Sequence, residues 1–132
     1  MTGSKIQPFL MFEGDAEAAI SLYVSLFAES QVIEIVRYGE NEAGTQGSVK
    51  RARFSIGSQT ILCCDSSVQH AFTFTPSFSL FVECHSEQEI NRLFAELSSA
   101  GDVFMPLSSY GFSKRFAWLN DRFGVSWQLN LA

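Results

Sequence analysis

Few side chains in this chain could carry chemistry, and their positions narrow what that chemistry is. His70 and His85 are the only histidines. His70 precedes Ala71-Phe72-Thr73-Phe74, near the middle of the chain. An imidazole there could serve as an acid or base near neutral pH at the rim of a pocket, or simply be a loop residue with its ring satisfied. His85 stands just before Ser86-Glu87-Gln88-Glu89 and reads as a solvated turn residue. Neither histidine adjoins a serine-nucleophile motif, so no catalytic triad is visible. Asp65 ends an apolar run beside Ser66-Ser67; its carboxylate could orient a ligand or act as a base, or cap a turn. Arg37, ahead of Tyr38 and a glycine-bearing loop, could clamp an anionic group or form an exposed ion pair. Cys63, Cys64 and Cys84 are odd in number, and two are adjacent. Neighbours on a strand point to opposite faces, so Cys63 and Cys64 are poor disulfide partners. The three read as small core hydrophobes, reduced, in a cytoplasmic protein.

The elements that must position these groups come in a repeated order. After Asp15, a plausible N-cap, the residues Ala16, Ala19, Ile20, Tyr23, Val24 and Phe27 recur at helical spacing. A second helix opens on the capping box Ser86-Glu87-Gln88-Glu89, continues with Ile90, Leu93, Phe94 and Leu97, and stops at Gly101. The remainder reads as strands at residues 6–12, 31–38, 48–56, 59–65, 77–84, 103–105, 115–120 and 125–129, with Gly57-Ser58 as a hairpin turn. Strand, helix and three strands thus occur twice. A shift of about 70 residues sets Leu10 on Leu80, Ile20 on Ile90 and Phe27 on Leu97. The fold class expected is α+β, built of two βαβββ units of about residues 1–68 and 69–132 in one domain.

Composition agrees with one real core. The chain has 132 residues, 46% of them hydrophobic, with 13 Phe that promise an aromatic interior. A net charge of −5 offers no basic face for nucleic acid and disfavours anionic membranes. No run is long and apolar enough to span a bilayer, and the apolar run from Pro8 to Phe12 is too short for a signal-peptide core.

Several motifs together are distinctive. They are Pro8-Phe9-Leu10-Met11-Phe12-Glu13-Gly14, Arg37-Tyr38-Gly39, Phe72-Thr73-Phe74-Thr75-Pro76 and Trp118-Leu119-Asn120-Asp121-Arg122-Phe123-Gly124-Val125-Ser126-Trp127-Gln128. In this order, over essentially the whole chain, they resemble the PhnB-like family. That family belongs to the vicinal oxygen chelate superfamily of glyoxalases, bleomycin-resistance proteins and extradiol dioxygenases. Many such sequences carry the label 3-demethylubiquinone 3-methyltransferase. Methyl transfer is not expected here, because no Gly-rich strand-to-helix turn exists to cradle a nucleotide.

The resemblance implies two βαβββ units forming a half-open, cup-shaped mixed sheet with the helices outside. It also implies metal-ligand positions on the cup wall, which fall here on Gln7, Ser77, Gln128 and a position near Leu62 or Cys64. Neutral amides and a hydroxyl are a poor cage for a divalent metal, so no metal or other cofactor is expected. With Gln128 and Ser77 in the cup, strand alternation would pack Trp127 and Phe78 beneath the helices. The cup would then present Gln7, Phe9, Ser77, Ser79 and Gln128, with Phe72 at the rim and Arg37, Asp65 and His70 around it. Such a polar-spotted apolar pocket suits a small organic ligand. The expected state is a homodimer. The rival readings are a metal-dependent lyase, isomerase or dioxygenase, and a structural dimer whose cup its own side chains fill.

Overall fold

The computed structural model describes residues 3–132, and every structural statement below concerns those residues. The chain divides into two compact units, the first ending at His70 and the second running from Ala71 to Ala132. Each is α+β and follows the same order, strand, helix, then three strands.

In the first unit, β1 (Phe9–Phe12), α1 (Ala16–Leu26), β2 (Gln31–Arg37), β3 (Val49–Ile56) and β4 (Gln59–Asp65) form a four-stranded sheet ordered β1-β4-β3-β2. β1 runs parallel to β4, and the other pairs are antiparallel. Gly57 and Ser58, at φ +51° and +71°, make the tight β3–β4 turn that their types suggested. α1 lies chiefly on β3. Its Ala16, Ala19, Ile20, Tyr23 and Leu26 are buried, with Tyr23 against Phe54 at 6.2 Å between ring centroids. Opposite them the sheet buries Leu10, Phe12, Ala52, Phe54, Ile61 and Cys63.

In the second unit, β5 (Leu80–Glu83), α2 (Glu87–Ser98), β6 (Asp102–Ser108), β7 (Arg115–Asn120) and β8 (Ser126–Leu131) repeat the plan as β5-β8-β7-β6, with β5 parallel to β8. α2 packs on β7 and β8 through Ile90, Leu93 and Leu97. Ala117, Leu119, Trp127 and Leu129 are buried beneath it. Pro106 is accommodated because β6 is an edge strand with a register shift between Met105 and Ser108.

Three local expectations are corrected. β5 starts at Leu80, not Ser77, because Pro76 and Ser77 belong to a turn closed by Phe78 N–H to Thr75 O at 3.3 Å. Phe78 is therefore 64% exposed rather than packed under a helix. At the end of α2 the left-handed residue is Ala100, at φ +60°. Gly101 is required for another reason: a Cβ there would meet the Asn120 carbonyl oxygen at 2.1 Å.

Candidate functional site

Each sheet has one face under its helix and one open face, and period-2 alternation assigns strand residues to one or the other except where β2 and β6 shift register. In the first unit the buried Leu10, Phe12, Ile61, Cys63 and Asp65 mark the helix face. Phe9, Met11, Leu62 and Cys64 lie on the open face, with Phe9 opposite Leu62 and Met11 opposite Cys64. The row continues to Arg53, opposite Leu62, and to Glu34. Arg51 is on the same face, 3.5 Å from Glu34. This face is a patch of apolar side chains bordered by arginines.

The second unit's open face is aromatic and uncharged at its centre. Phe81 is opposite Gln128, Gln128 opposite Trp118, and Trp118 opposite Met105. Phe104 lies 5.0 Å from Trp118 between ring centroids. Phe112 meets Phe116 edge-on at 5.0 Å, and Tyr110 stacks near Phe112 at 6.2 Å. Threading these rings is a chain of neutral hydrogen bonds. Trp118 Nε1–H donates to Ser126 Oγ at 3.0 Å, the Ser126 and Ser79 hydroxyls are 2.6 Å apart, and Gln128 Nε2–H donates to Ser79 Oγ at 3.3 Å. Gln128 is half-buried, and its carbonyl oxygen has no hydrogen-bond partner among the described residues. Trp127, one residue earlier, is 1% exposed and turned under α2.

The residues singled out from the sequence do not all converge. Gln7 is half-buried just ahead of β1, and Phe9 is exposed on the first unit's open face. Ser79 and Gln128 meet on the second unit's open face. Ser77 sits in the turn before β5, bonded to Thr75 Oγ1 at 2.7 Å, and Phe72 is 63% exposed in the segment that precedes it.

Arg37 and Asp65, each read two ways from the sequence, meet partners within the chain. Arg37 belongs to the helix face of β2, where its guanidinium holds the Glu17 carboxylate through bonds of 2.6 and 2.8 Å. The hydrogen bond and charge of that pair lower the Glu17 pKa and raise that of Arg37. Asp65 is 3% exposed on the helix face. Its Oδ1 accepts from Gly14 N–H and Ala16 N–H at 2.8 and 3.0 Å, and its Oδ2 from Val49 N–H at 2.9 Å. Both oxygens accept backbone N–H groups, so the carboxylate braces the first unit's framework. Asp65 also takes over the capping of α1, since Asp15 makes no side-chain cap bond.

Sequence reasoning missed Ser66. Its Oγ lies 2.8 Å from His70 Nε2, a contact that the spacing of four residues across a turn permits but does not require. His85 behaves as a turn residue, exposed, with its N–H donated to Glu89 Oε1 at 2.7 Å.

The residues at the implied ligand positions do not suit a divalent metal. Gln7, Ser77 and Gln128 are neutral, and among the described residues no three His, Cys, Asp or Glu side chains cluster. Cys64 is the one thiol facing the open side, and burial pushes its pKa up, away from the thiolate a metal needs. Burial also pushes Cys63 up to about 12 and Cys84 up to about 11. A nucleotide-type methyl donor fits no better. The turn from β1 to α1 has Gly14 as its one glycine, and the amides of Gly14 and Ala16 are already spent on Asp65.

With this geometry in view, comparisons with known proteins are informative. The family profile described as 3-demethylubiquinone-9 3-methyltransferase matches residues 4–130. A Bacillus cereus PhnB protein, described as a 3-demethylubiquinone-9 3-methyltransferase, is 53% identical over 98% of this chain and 100% of its own, with a TM-score of 0.96. Protein PA1353 from Pseudomonas aeruginosa is 26% identical over 98% of both chains, with a TM-score of 0.84. FosX, a fosfomycin resistance protein of Listeria monocytogenes, is 10% identical over 98% of this chain and 93% of that one. Its TM-score of 0.64 shows a shared fold. No curated protein sequence matches the chain.

Proposed function

The chain belongs to the PhnB-like family of the vicinal oxygen chelate superfamily, whose profile carries the 3-demethylubiquinone-9 3-methyltransferase description, and from that premise we propose that it binds a small, planar, partly apolar organic molecule on an open sheet face, without a transition metal. The observation that carries this reading is the second unit's open face. The exposed ring of Phe104 lies against half-buried Trp118, exposed Phe81 stands opposite Gln128, and the Gln128 amide oxygen has no hydrogen-bond partner among the described residues. Aromatic faces gain from stacking on a planar ligand, and an unpaired amide oxygen on an apolar surface gains from a ligand donor. Methyl transfer is no part of this reading, for want of a cradle for the donor. The two units act as one module. They work in the cytoplasm, where Cys63, Cys64 and Cys84 stay as free thiols. A homodimer is part of the proposal: Val32 and Ile33 on edge strand β2, and Val103 and Phe104 on edge strand β6, are 41–46% exposed and await cover.

Two tryptophans provide the test. Trp118 faces the open side and Trp127 is buried, so a quinone or aromatic amide docking there should quench the emission of Trp118 alone. Titration of a panel of such compounds into wild type and Trp118→Phe should show saturable quenching only in wild type. Equal quenching in Trp118→Phe would overturn the assignment. Elemental analysis of freshly purified protein should find zinc, nickel, iron and manganese well below one per chain; a near-equimolar metal surviving dialysis would overturn the metal-free reading. Light scattering should give the mass of a dimer, and a monomer at high micromolar concentration would remove that part.

A further inference from the structure

We propose that Ser66 and His70, in the first unit, form a nucleophile–base pair that accepts acyl groups from activated esters. The pair stands at the C-terminal end of β4, where the strand leaves the sheet. Ser66 Oγ is 2.8 Å from His70 Nε2, the separation a serine needs to pass its proton to an imidazole. A second contact is compatible with the direction that the pair needs. Val68 N–H donates to the same Oγ at 3.2 Å, so the oxygen already accepts there and its own hydrogen is free to point at Nε2. In the tautomer with its proton on Nδ1, His70 presents Nε2 as the base.

The surrounding backbone holds both residues. Ser66 N–H donates to Phe12 O at 2.7 Å, extending the parallel β1–β4 ladder one residue past Asp65. The main chain of His70 is tied by its N–H to Glu13 Oε2 at 3.3 Å. One residue earlier on the chain, Asp65 is locked to Gly14, Ala16 and Val49. Alternation carries Ser66 onto the open face with Leu62 and Cys64, and both members of the pair are half-buried rather than sealed. The apolar side chains of Met11 and Leu62 on that face suit the acyl chain of a small ester.

The step balances without any cofactor. Ser66 Oγ bonds to the acyl carbon while its proton passes to Nε2; the ester C–O bond breaks, and the departing alcohol or phenol oxygen takes that proton. Water then adds to the acyl carbon and gives a proton to Nε2. The carboxylic acid leaves as Ser66 Oγ recovers that proton.

A fluorophosphonate probe tests this on the intact chain, with the modified residue located by peptide mass spectrometry. Wild type should be labelled at Ser66, approaching one probe per chain, and 4-nitrophenyl acetate should release an initial burst of nitrophenolate of similar size. Ser67→Ala, at the exposed neighbouring serine, should label as wild type does. His70→Gln keeps a side chain able to hydrogen-bond Ser66 but not to take up its proton, and should label about 100-fold more slowly, the usual worth of a positioned base. Label on another residue, an unlabelled Ser66 in wild type, or an unchanged rate in His70→Gln would each overturn the proposal. Because the readout is wild-type labelling, failure of a variant to fold does not shelter it. Ligand quenching of Trp118 would stand or fall separately.

Discussion

The two units repeat one order of elements, yet they secure their helices by opposite means. α2 is capped by its own chain: Ser86 Oγ accepts Glu89 N–H at 3.1 Å, and Glu89 reaches back to His85 N–H. α1 has Asp15 in the cap position with no side-chain bond, and its first amide, with that of Gly14 just before it, is taken by Asp65, roughly 50 residues away in sequence. That carboxylate also holds the first amide of β3, so one buried group joins β1's exit, the helix start and the sheet. The second unit has a buried aspartate as well, put to different use. Asp121 accepts from Phe123 N–H, Val125 N–H and Trp127 Nε1–H, bracing the β7–β8 turn and the largest core side chain. A local cap serves one helix turn; a distant one ties three elements together. The open faces diverge in parallel, with arginines beside an apolar patch in the first unit and rings around a neutral hydrogen-bond chain in the second. Duplicated frameworks constrain the buried face and leave the open one to specialise.

The largest blow to this comparison should come from Trp127→Ala. It empties the second unit's core and removes the indole N–H that Asp121 Oδ2 accepts, and should cost roughly 3–5 kcal/mol in a denaturant melt. Asp65→Asn comes next. Oδ1 and Oδ2 both accept backbone N–H groups, so either orientation of the amide sets a donor against a donor, at about 2–3 kcal/mol. Ser86→Ala removes one exposed cap bond and should cost about 1 kcal/mol, with hydrogen exchange rising only in the first turn of α2. If Ser86→Ala proved costlier than Asp65→Asn, the contrast between local and distant capping would be inverted. Gln128→Ala should be mildest for stability, under about 0.5 kcal/mol, because its side chain is half-exposed on the open face. It should nevertheless weaken ligand quenching of Trp118. A Gln128→Ala variant less stable than Trp127→Ala would mean that β8 is turned the other way.

Most of the framework is legible in the sequence. Helical spacing marked Ala19, Ile20 and Tyr23, and Ile90, Leu93 and Leu97, as buried faces, and the structure buries them. The Ser86 cap and the Gly57-Ser58 turn were readable because each works within a few residues, through chemistry that those types carry wherever they stand. The strand bearing Trp127 and Gln128 was also readable, since alternation alone places them on opposite faces. Strand starts were less so. Ser77 and Phe78 look like strand residues, but the Pro76 turn holds them outside the ladder.

What tertiary structure alone decided concerns the polar groups. Asp65 and Arg37 have the types of ligand-binding residues, and sequence leaves open whether each meets a ligand or a partner. The helix face answered for both: a carboxylate sealed from water must find donors, and the nearest were the amides of α1 and β3. Arg37 found Glu17 because β2 runs beside α1. Ser66 and His70 meet because the chain turns sharply where β4 ends. Burial pattern and short-range turns are properties of the residues themselves, repeated every two or every 3.6 positions. Which polar groups face one another depends on register and crossover between distant segments, and those exist only once the sheet has formed.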